Sequence, residues 1–193
     1  MAVFDGVACG YDVAMRPVET VYLRRLRRAL FQKASGRVLE LGVGTGNNLP
    51  AYPAGNRVVG VDESPSMLAV ARAKTDAPLV RMDASRLAFR DASFDTVSAS
   101  LVFCSIADPL AALAEARRVL RPDGRLLLLD HVRGAHPLLA RLTDALDGPW
   151  YAFNGSCHLN RDTVRLVQEA GFRLISGRRH LAGLLQLLEA RPA

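Results

Sequence analysis

Three glycines and three carboxylates decide what chemistry this chain can reach. Gly42, Gly44 and Gly46 stand two apart in "VLELGVGTGNNLP" (38–50), directly behind an apolar run that carries Glu40. Asp62 closes "RVVGVD", 20 residues after Gly42, and Asp83 closes "LVRMD". A glycine-rich turn behind a strand lets a ligand come close to the backbone. Dinucleotide folds write that turn G-x-G-x-x-G, the last glycine allowing close helix–strand packing beneath a pyrophosphate. Here the pattern is G-x-G-x-G and position 47 is Asn. A carboxylate at Glu40 would repel a pyrophosphate and suits a ligand bearing an ammonium and a sulfonium. Asp62 is placed to accept the vicinal hydroxyls of a ribose. Asp83 is placed to accept from an adenine amino group. The ligand with all of these groups is S-adenosylmethionine, although the ribose contact alone would equally suit NAD.

Such residues need strands to carry them. "RVLELG" (37–42), "RVVGVD" (57–62), "LVRMD" (79–83), "FDTVSASLVF" (94–103) and "RLLLLDHV" (125–132) are short Val/Leu-rich runs, as expected of a parallel sheet covered on both faces. Between them, 64–74 and 108–121 have helical periodicity and open on Ser64 or Asp108 followed by Pro. "RPDG" (121–124) is a turn feeding the fifth strand. Further on, 136–158 is a helix running into an irregular aromatic stretch, and 160–171 is a helix capped by Asn160 and ended by Gly171. "FRLISGRRHL" and "AGLLQLLEAR" are two last strands, though the leucine spacing of the second also suits a helix. Residues 17–34 form a basic amphipathic helix, part of an N-terminal helical cap (1–36) on a single domain spanning 1–193. Three acids at the ends of three successive strands share one rim, where open α/β sheets bind ligands.

The totals exclude several classes. Half of the 193 residues are apolar and 23% are charged, which specifies a globular chain. No apolar stretch is long enough to span a bilayer, and the first residues lack the pattern of a secretory signal, so a cytoplasmic setting is expected. Cys9, Cys104 and Cys157 lie far apart, which argues against a metal site or a disulfide framework. The net charge of +6 is spread over single arginines with only two lysines, so no nucleic-acid partner is expected.

With these blocks in place, the chain resembles a class I S-adenosylmethionine-dependent methyltransferase. The resemblance rests on "VLELGVGTGNNLPAYP", "VVGVDESPSMLAVARAK", "MDASRLAFRDASFDTVSASLVFCSIADP", "EARRVLRPDGRLLLLDHV" and "GSCHLNRDTVRLVQEAGF", and runs from about Tyr11 to the C-terminus. It is similar to small bacterial methyltransferases of the phospholipid N-methyl and quinone C-methyl type, and to animal alkyl-thiol S-methyltransferases, which carry a membrane anchor not found here. The resemblance implies a Rossmann-like α/β fold with a seven-stranded, mostly parallel sheet ordered 3-2-1-4-5-7-6. It further implies that Glu40, Gly42, Gly44, Gly46, Asp62, Glu63, Met67, Asp83, Ala84, Ser100 and Leu101 contact the cofactor, and that Tyr11 closes over it unless it only packs at a helix start. "SLVFCS" is unlike the N/D-P-P-Y/F sequence of DNA amino-methyltransferases, which again disfavours nucleic acid.

Methyl transfer requires positioning and, for most acceptors, removal of a proton. His131 in "LDHV" is the first candidate base or substrate contact, with Asp130 orienting it; the alternatives are a hydrogen bond at the sheet end and a turn cap. His158 in "SCHLNR" is the second, whereas Cys104 and Cys157 suit the core and His136 and His180 the surface. Trp150, Tyr151 and Phe153 wall an apolar pocket or form a lid. The basic helix, with Arg24, Arg25, Arg27 and Arg28 opposite Val18, Val21, Leu26 and Leu30, either rests on an anionic bilayer or is simply solvated. The expected activity is methylation of a small, fairly apolar acceptor, a thiol favoured. Phosphatidylethanolamine or another amine is the alternative acceptor, and a non-catalytic S-adenosylmethionine-binding module the alternative of another class.

Overall fold

In the computed structural model, which describes residues 8–193, the apolar runs become the strands of one sheet. They are β1 (Arg37–Leu41), β2 (Arg57–Asp62), β3 (Leu79–Arg81), β4 (Phe94–Ser100), β5 (Leu120–His131), β6 (Phe172–His180) and β7 (Leu185–Pro192). Their order is β3-β2-β1-β4-β5-β7-β6. Pairing is parallel from β3 through β5, and β7 runs antiparallel to both its neighbours. The second of the two final segments is therefore a strand and not a helix.

Both faces of the sheet are buried, which is why its central strands are largely apolar. Along β5 the residues alternate: Leu126 and Leu128 pack with α4 (Pro109–Val119) and α6 (Thr163–Glu169). Leu127 and Leu129 pack with Leu23, Leu26, Leu30 and Phe31 on the other face. The expected turn at 121–124 lies inside the long β5, bulging out where the register jumps from Phe94↔Leu120 to Thr96↔Arg125.

Helix starts follow their caps. Ser64 Oγ accepts the Met67 amide at 3.2 Å to open α3 (Pro65–Arg72), and Asp108 Oδ1 accepts that of Ala111 at 2.9 Å to open α4. The cap of α6 is Asp162, whose Oδ1 accepts from Arg165 at 3.1 Å, and not Asn160.

Two helices depart from expectation. The N-terminal helix is already formed ahead of residue 17, as α1 (Ala8–Val18) with Pro17 inside it, passes through a π-helical turn (Glu19–Leu23) and continues as α2 (Arg24–Phe31). Its apolar face packs on the sheet, Val21 is exposed, and Arg27 is buried beside Glu19 at 3.3 Å. Of the apolar residues expected along 17–34, Leu26 and Leu30 are thus used internally. α5 (Pro137–Asn154) runs straight through Gly148–Pro149 and stops at Gly155, a left-handed residue (φ 75°), so the aromatic stretch is helical. Residues 1–7 of the expected cap, and the side chains of Cys9 and Val18, lie outside the described residues.

Candidate active site

The turn after β1 is built by hydrogen bonds that use its own amides. Gly44 N donates to Asp62 Oδ2 at 2.8 Å, Gly46 N donates to the Val43 carbonyl at 3.0 Å, and Ser64 N holds Asp62 Oδ1 at 2.9 Å. All three glycines have positive φ, where L side chains are strained. A side chain at Gly46 would meet Leu49 and Ala71 at 3.3–3.4 Å, so this glycine permits the close approach of α3.

Glu40 differs from expectation. It is wholly buried, accepting from Asn48 Nδ2 at 2.6 Å and from Tyr52 Oη at 3.0 Å, while Tyr52 Oη also meets Ser98 Oγ at 2.8 Å. Burial pushes its carboxyl up to about 7. Glu40 therefore does not face a ligand directly and supports the loop through Asn48. A pyrophosphate is disfavoured for another reason. The Gly44 and Gly46 amides that would cradle it are already spent, one of them on a carboxylate.

A cleft of about 710 Å³ opens over the carboxyl ends of β1, β2 and β4. Tyr11, Gly42, Gly44, Asp62, Glu63, Met67, Asp83, Ala84, Ser100 and Leu101 line it; Glu40 and Gly46 do not. Asp83 Oδ1 is engaged by the Ser85 amide and hydroxyl, both at 2.8 Å. Leu101 holds a strained φ of 58°, its amide pinned to the Leu129 carbonyl at 2.7 Å. Ser100 Oγ and Asn48 Oδ1 are buried at the cleft without a hydrogen-bond partner. Sequence reasoning passed over Asp12, the neighbour of Tyr11. Its carboxylate accepts from Thr45 Oγ1 (2.6 Å) and Asn47 Nδ2 (3.0 Å) and pairs with Lys74, tying α1 onto the glycine turn. Arg27, expected on an outer face, lines the cleft instead.

The far end of the cleft is walled by Val102, Ile106, Tyr151, His158 and Arg161. His158 Nδ1 lies 3.1 Å from Asp147 Oδ2, whose other oxygen accepts the Leu159 amide at 2.6 Å. Tyr151 stacks on the imidazole with centroids 4.7 Å apart. Arg161 Nη1 ties the loop after β4 in place by donating to the Phe103 and Ile106 carbonyls at 2.7 and 2.6 Å.

The pair expected to come first lies behind the cleft wall. His131 does not line the cleft, and burial lowers its pKa. Asp130, also outside it, is buried against Cys104, its carboxyl pushed up to about 7 by that burial. Asp130 Oδ1 accepts from the backbone of His131 at 3.1 Å and so does not orient the ring. Cys104 is buried and shares a hydrogen bond with the half-buried Cys157, which holds the Cys157 thiol down near 7. His136 is exposed and caps α5, and His180 meets the Tyr22 ring edge-on.

Residues 39–128 match the family model described as a methyltransferase domain. The chain is 34% identical to the thiol S-methyltransferase TMT1B of Rattus norvegicus, an alignment covering 70% of this chain and 59% of that protein. It is 38% identical to the demethylmenaquinone methyltransferase of Thermus thermophilus, covering 72% and 70%. The fold superposes on an S-adenosylmethionine-dependent methyltransferase of Thermotoga maritima with a TM-score of 0.78 at 21% identity, covering 99% of each. The chain thus spans about three fifths of the rat relative's length and rather more of the bacterial one.

Proposed function

Because this chain belongs to the methyltransferase domain family, we propose that it transfers a methyl group from S-adenosylmethionine to a small, fairly apolar acceptor, a thiol being favoured. One observation carries the reading. A single cleft is lined by the Asp62 and Asp83 carboxylates and by His158, which Asp147 backs from behind. The residues present fit the cofactor. Asp62 suits a ribose and Asp83 an adenine amine; Ser100 Oγ and Asn48 Oδ1, buried and unpartnered, suit an ammonium; Arg27 suits a carboxylate. When bound, S-adenosylmethionine supplies a methyl carbon activated by positive sulfur.

This chain's own residues do the rest. Asp147 engages Nδ1 of His158, which leaves Nε2 to take the acceptor's proton, while Tyr151 stacks on the ring and fixes its plane. Val102 and Ile106 offer apolar walls, and the Arg161 guanidinium disfavours a cationic amine nearby. A neutral thiol enters such walls readily and needs only modest help to ionise. A second reading, in which phosphatidylethanolamine or another lipid-borne amine is the acceptor, is favoured by the apolar face of α5 that leads to the same end of the cleft. The non-catalytic alternative leaves the His158–Asp147 pair without a purpose.

A radiolabelled-methyl screen over short alkyl thiols, amines, phenols and phosphatidylethanolamine tests the acceptor. Transfer to a thiol without vesicles is expected, and strict dependence on vesicles would move the assignment to a lipid. Asp62→Ala should weaken S-adenosylhomocysteine binding by at least about tenfold by calorimetry. His158→Ala should keep that affinity while lowering kcat about 100-fold or more. Cofactor binding with no turnover on any acceptor class would leave only the binding module.

A further inference from the structure

α5 is an 18-residue helix with little to hold its outer side. Ala140 and Thr143 are its buried residues among those described, and Leu139 and Asp147 are half-buried beside them. On the other side Leu138, Leu142, Leu146, Trp150 and Phe153 follow one another at steps of three or four, so they share one face. All five are exposed, Leu138 to 70% and Phe153 to 86%. Trp150 and Phe153 lean together with centroids 6.2 Å apart. A continuous apolar stripe of this kind is unusual on a surface that faces only water.

The charges beside the stripe have one sign. The two carboxylates of α5 are both paired elsewhere, Asp144 with Arg133 and Asp147 with His158. Arg141 stands among the leucines, exposed and in no ion pair among the described residues. Across the cleft, α1 and α2 supply its Tyr11 and Arg27 walls and expose Arg16, Arg24, Arg25 and Arg28, likewise outside those ion pairs. The stripe ends where Tyr151, Gly155 and Ser156 line the cleft.

We propose that the outer face of α5 docks on an anionic lipid bilayer, its leucines and aromatic rings entering the acyl boundary and Arg141 reaching the headgroups, with the far end of the cleft opening at the membrane surface. An arginine set between leucines buries its stem and keeps its guanidinium at the polar layer, and a tryptophan sits naturally at that boundary. No described helix is long and apolar enough to cross a membrane, so the contact is peripheral. The inference goes beyond the methyl-transfer reading, and its test needs no acceptor, so the two can fail separately.

Trp150 is the only tryptophan of the chain and reports directly. Mixing the full chain with phosphatidylcholine–phosphatidylglycerol vesicles should shift its emission to the blue and sediment the protein with the vesicles. Phosphatidylcholine alone should do so less, and added salt should reverse the difference. Leu138→Asp with Leu142→Asp should lower the vesicle-bound fraction at least about tenfold. Arg141→Gln should weaken binding to anionic vesicles about fivefold. Both should keep S-adenosylhomocysteine affinity, because none of these residues touches the cleft. No vesicle binding by the parent chain, or equal binding by the double variant, would overturn the proposal. So would a dimer in sedimentation equilibrium that Leu138→Asp with Leu142→Asp dissolves, since the stripe would then belong to a second copy.

Discussion

Glu40 shows how much one buried side chain can change meaning between sequence and structure. Its position behind the glycine turn marks it as a charge facing a ligand; its burial makes it a proton carrier near neutrality, with a carboxyl pushed to about 7. That shift has a sign. Between about pH 4.5 and 7 the unfolded chain releases this proton while the folded chain keeps it, so the folded state loses stability as pH rises through the window. Below the window both states hold the proton, and above it neither does. Glu40 therefore lowers stability at pH 8, relative to pH 4, by up to about 3 kcal/mol, and Asp130, also pushed to about 7, acts in the same direction. Glu40→Gln keeps an acceptor for Asn48 and turns a donor toward Tyr52, which can still donate to Ser98. Its melting temperature at pH 8 should exceed that of the parent, and its decline between pH 5 and 7 should be shallower. An unchanged decline would mean that Glu40 is ionised in the fold. The histidines divide on the same ground. His131 and His158 look alike as sequence, and only packing takes the first out of the cleft and gives the second its carboxylate.

At the scale of elements, the two cleft-lining glycines of the turn after β1 differ in the room around them. An ideal Cβ at Gly42 would lie 2.5 Å from Val102, whereas at Gly44 the nearest atom is the Gly42 carbonyl oxygen at 4.0 Å. Both have positive φ, so alanine at either costs about 1 kcal/mol in backbone strain. Gly42→Ala adds overpacking of about 1–3 kcal/mol and should melt several degrees lower than Gly44→Ala. Gly44→Ala, whose methyl enters open space at the cleft, should instead lose more S-adenosylhomocysteine affinity for each degree of melting temperature lost. Thermal melts and calorimetry on the pair check this, and identical behaviour would refute it. The strands were readable because a doubly covered sheet demands unbroken apolar runs, and α3 and α4 because their caps use Ser64 and Asp108 as such residues are generally used. α5 was misread at Gly148–Pro149, where a breaker is tolerated on an exposed stretch in which water can satisfy the carbonyl a proline leaves behind. The helical stretch ahead of residue 17 was missed because Pro17 reads as a beginning, whereas it stands inside α1.

For the whole molecule, the sheet order determines where a ligand can bind and how strongly it can couple to folding. The chain turns outward in one direction from β1 to β3 and in the other from β4 to β6, so the crevice lies where β1 and β4 part. That half of the site was legible because strand ends follow from periodicity. The acceptor half was not, since His158 and Arg161 reach the cleft, and Asp147 reaches His158, only through the docking of α5 and the segment behind it. A ligand in this crevice touches α1, the turn after β1, β2, α3 and the loop after β4 together, so it can bind only the assembled fold. Ligand at 100 times its Kd should then stabilise the chain by about 2.7 kcal/mol, a rise in Tm of about 5–10 °C for a protein of this size. S-adenosylhomocysteine should produce that rise and Asp62→Ala should remove most of it. NADH shares the adenosine, but its pyrophosphate would meet amides already bonded to Asp62 and Val43, so at equal concentration it should move the Tm by no more than about 1 °C. An equal shift with NADH would mean that the turn can release Asp62 for a phosphate, and the assignment of the crevice to a sulfonium ligand would fail with it.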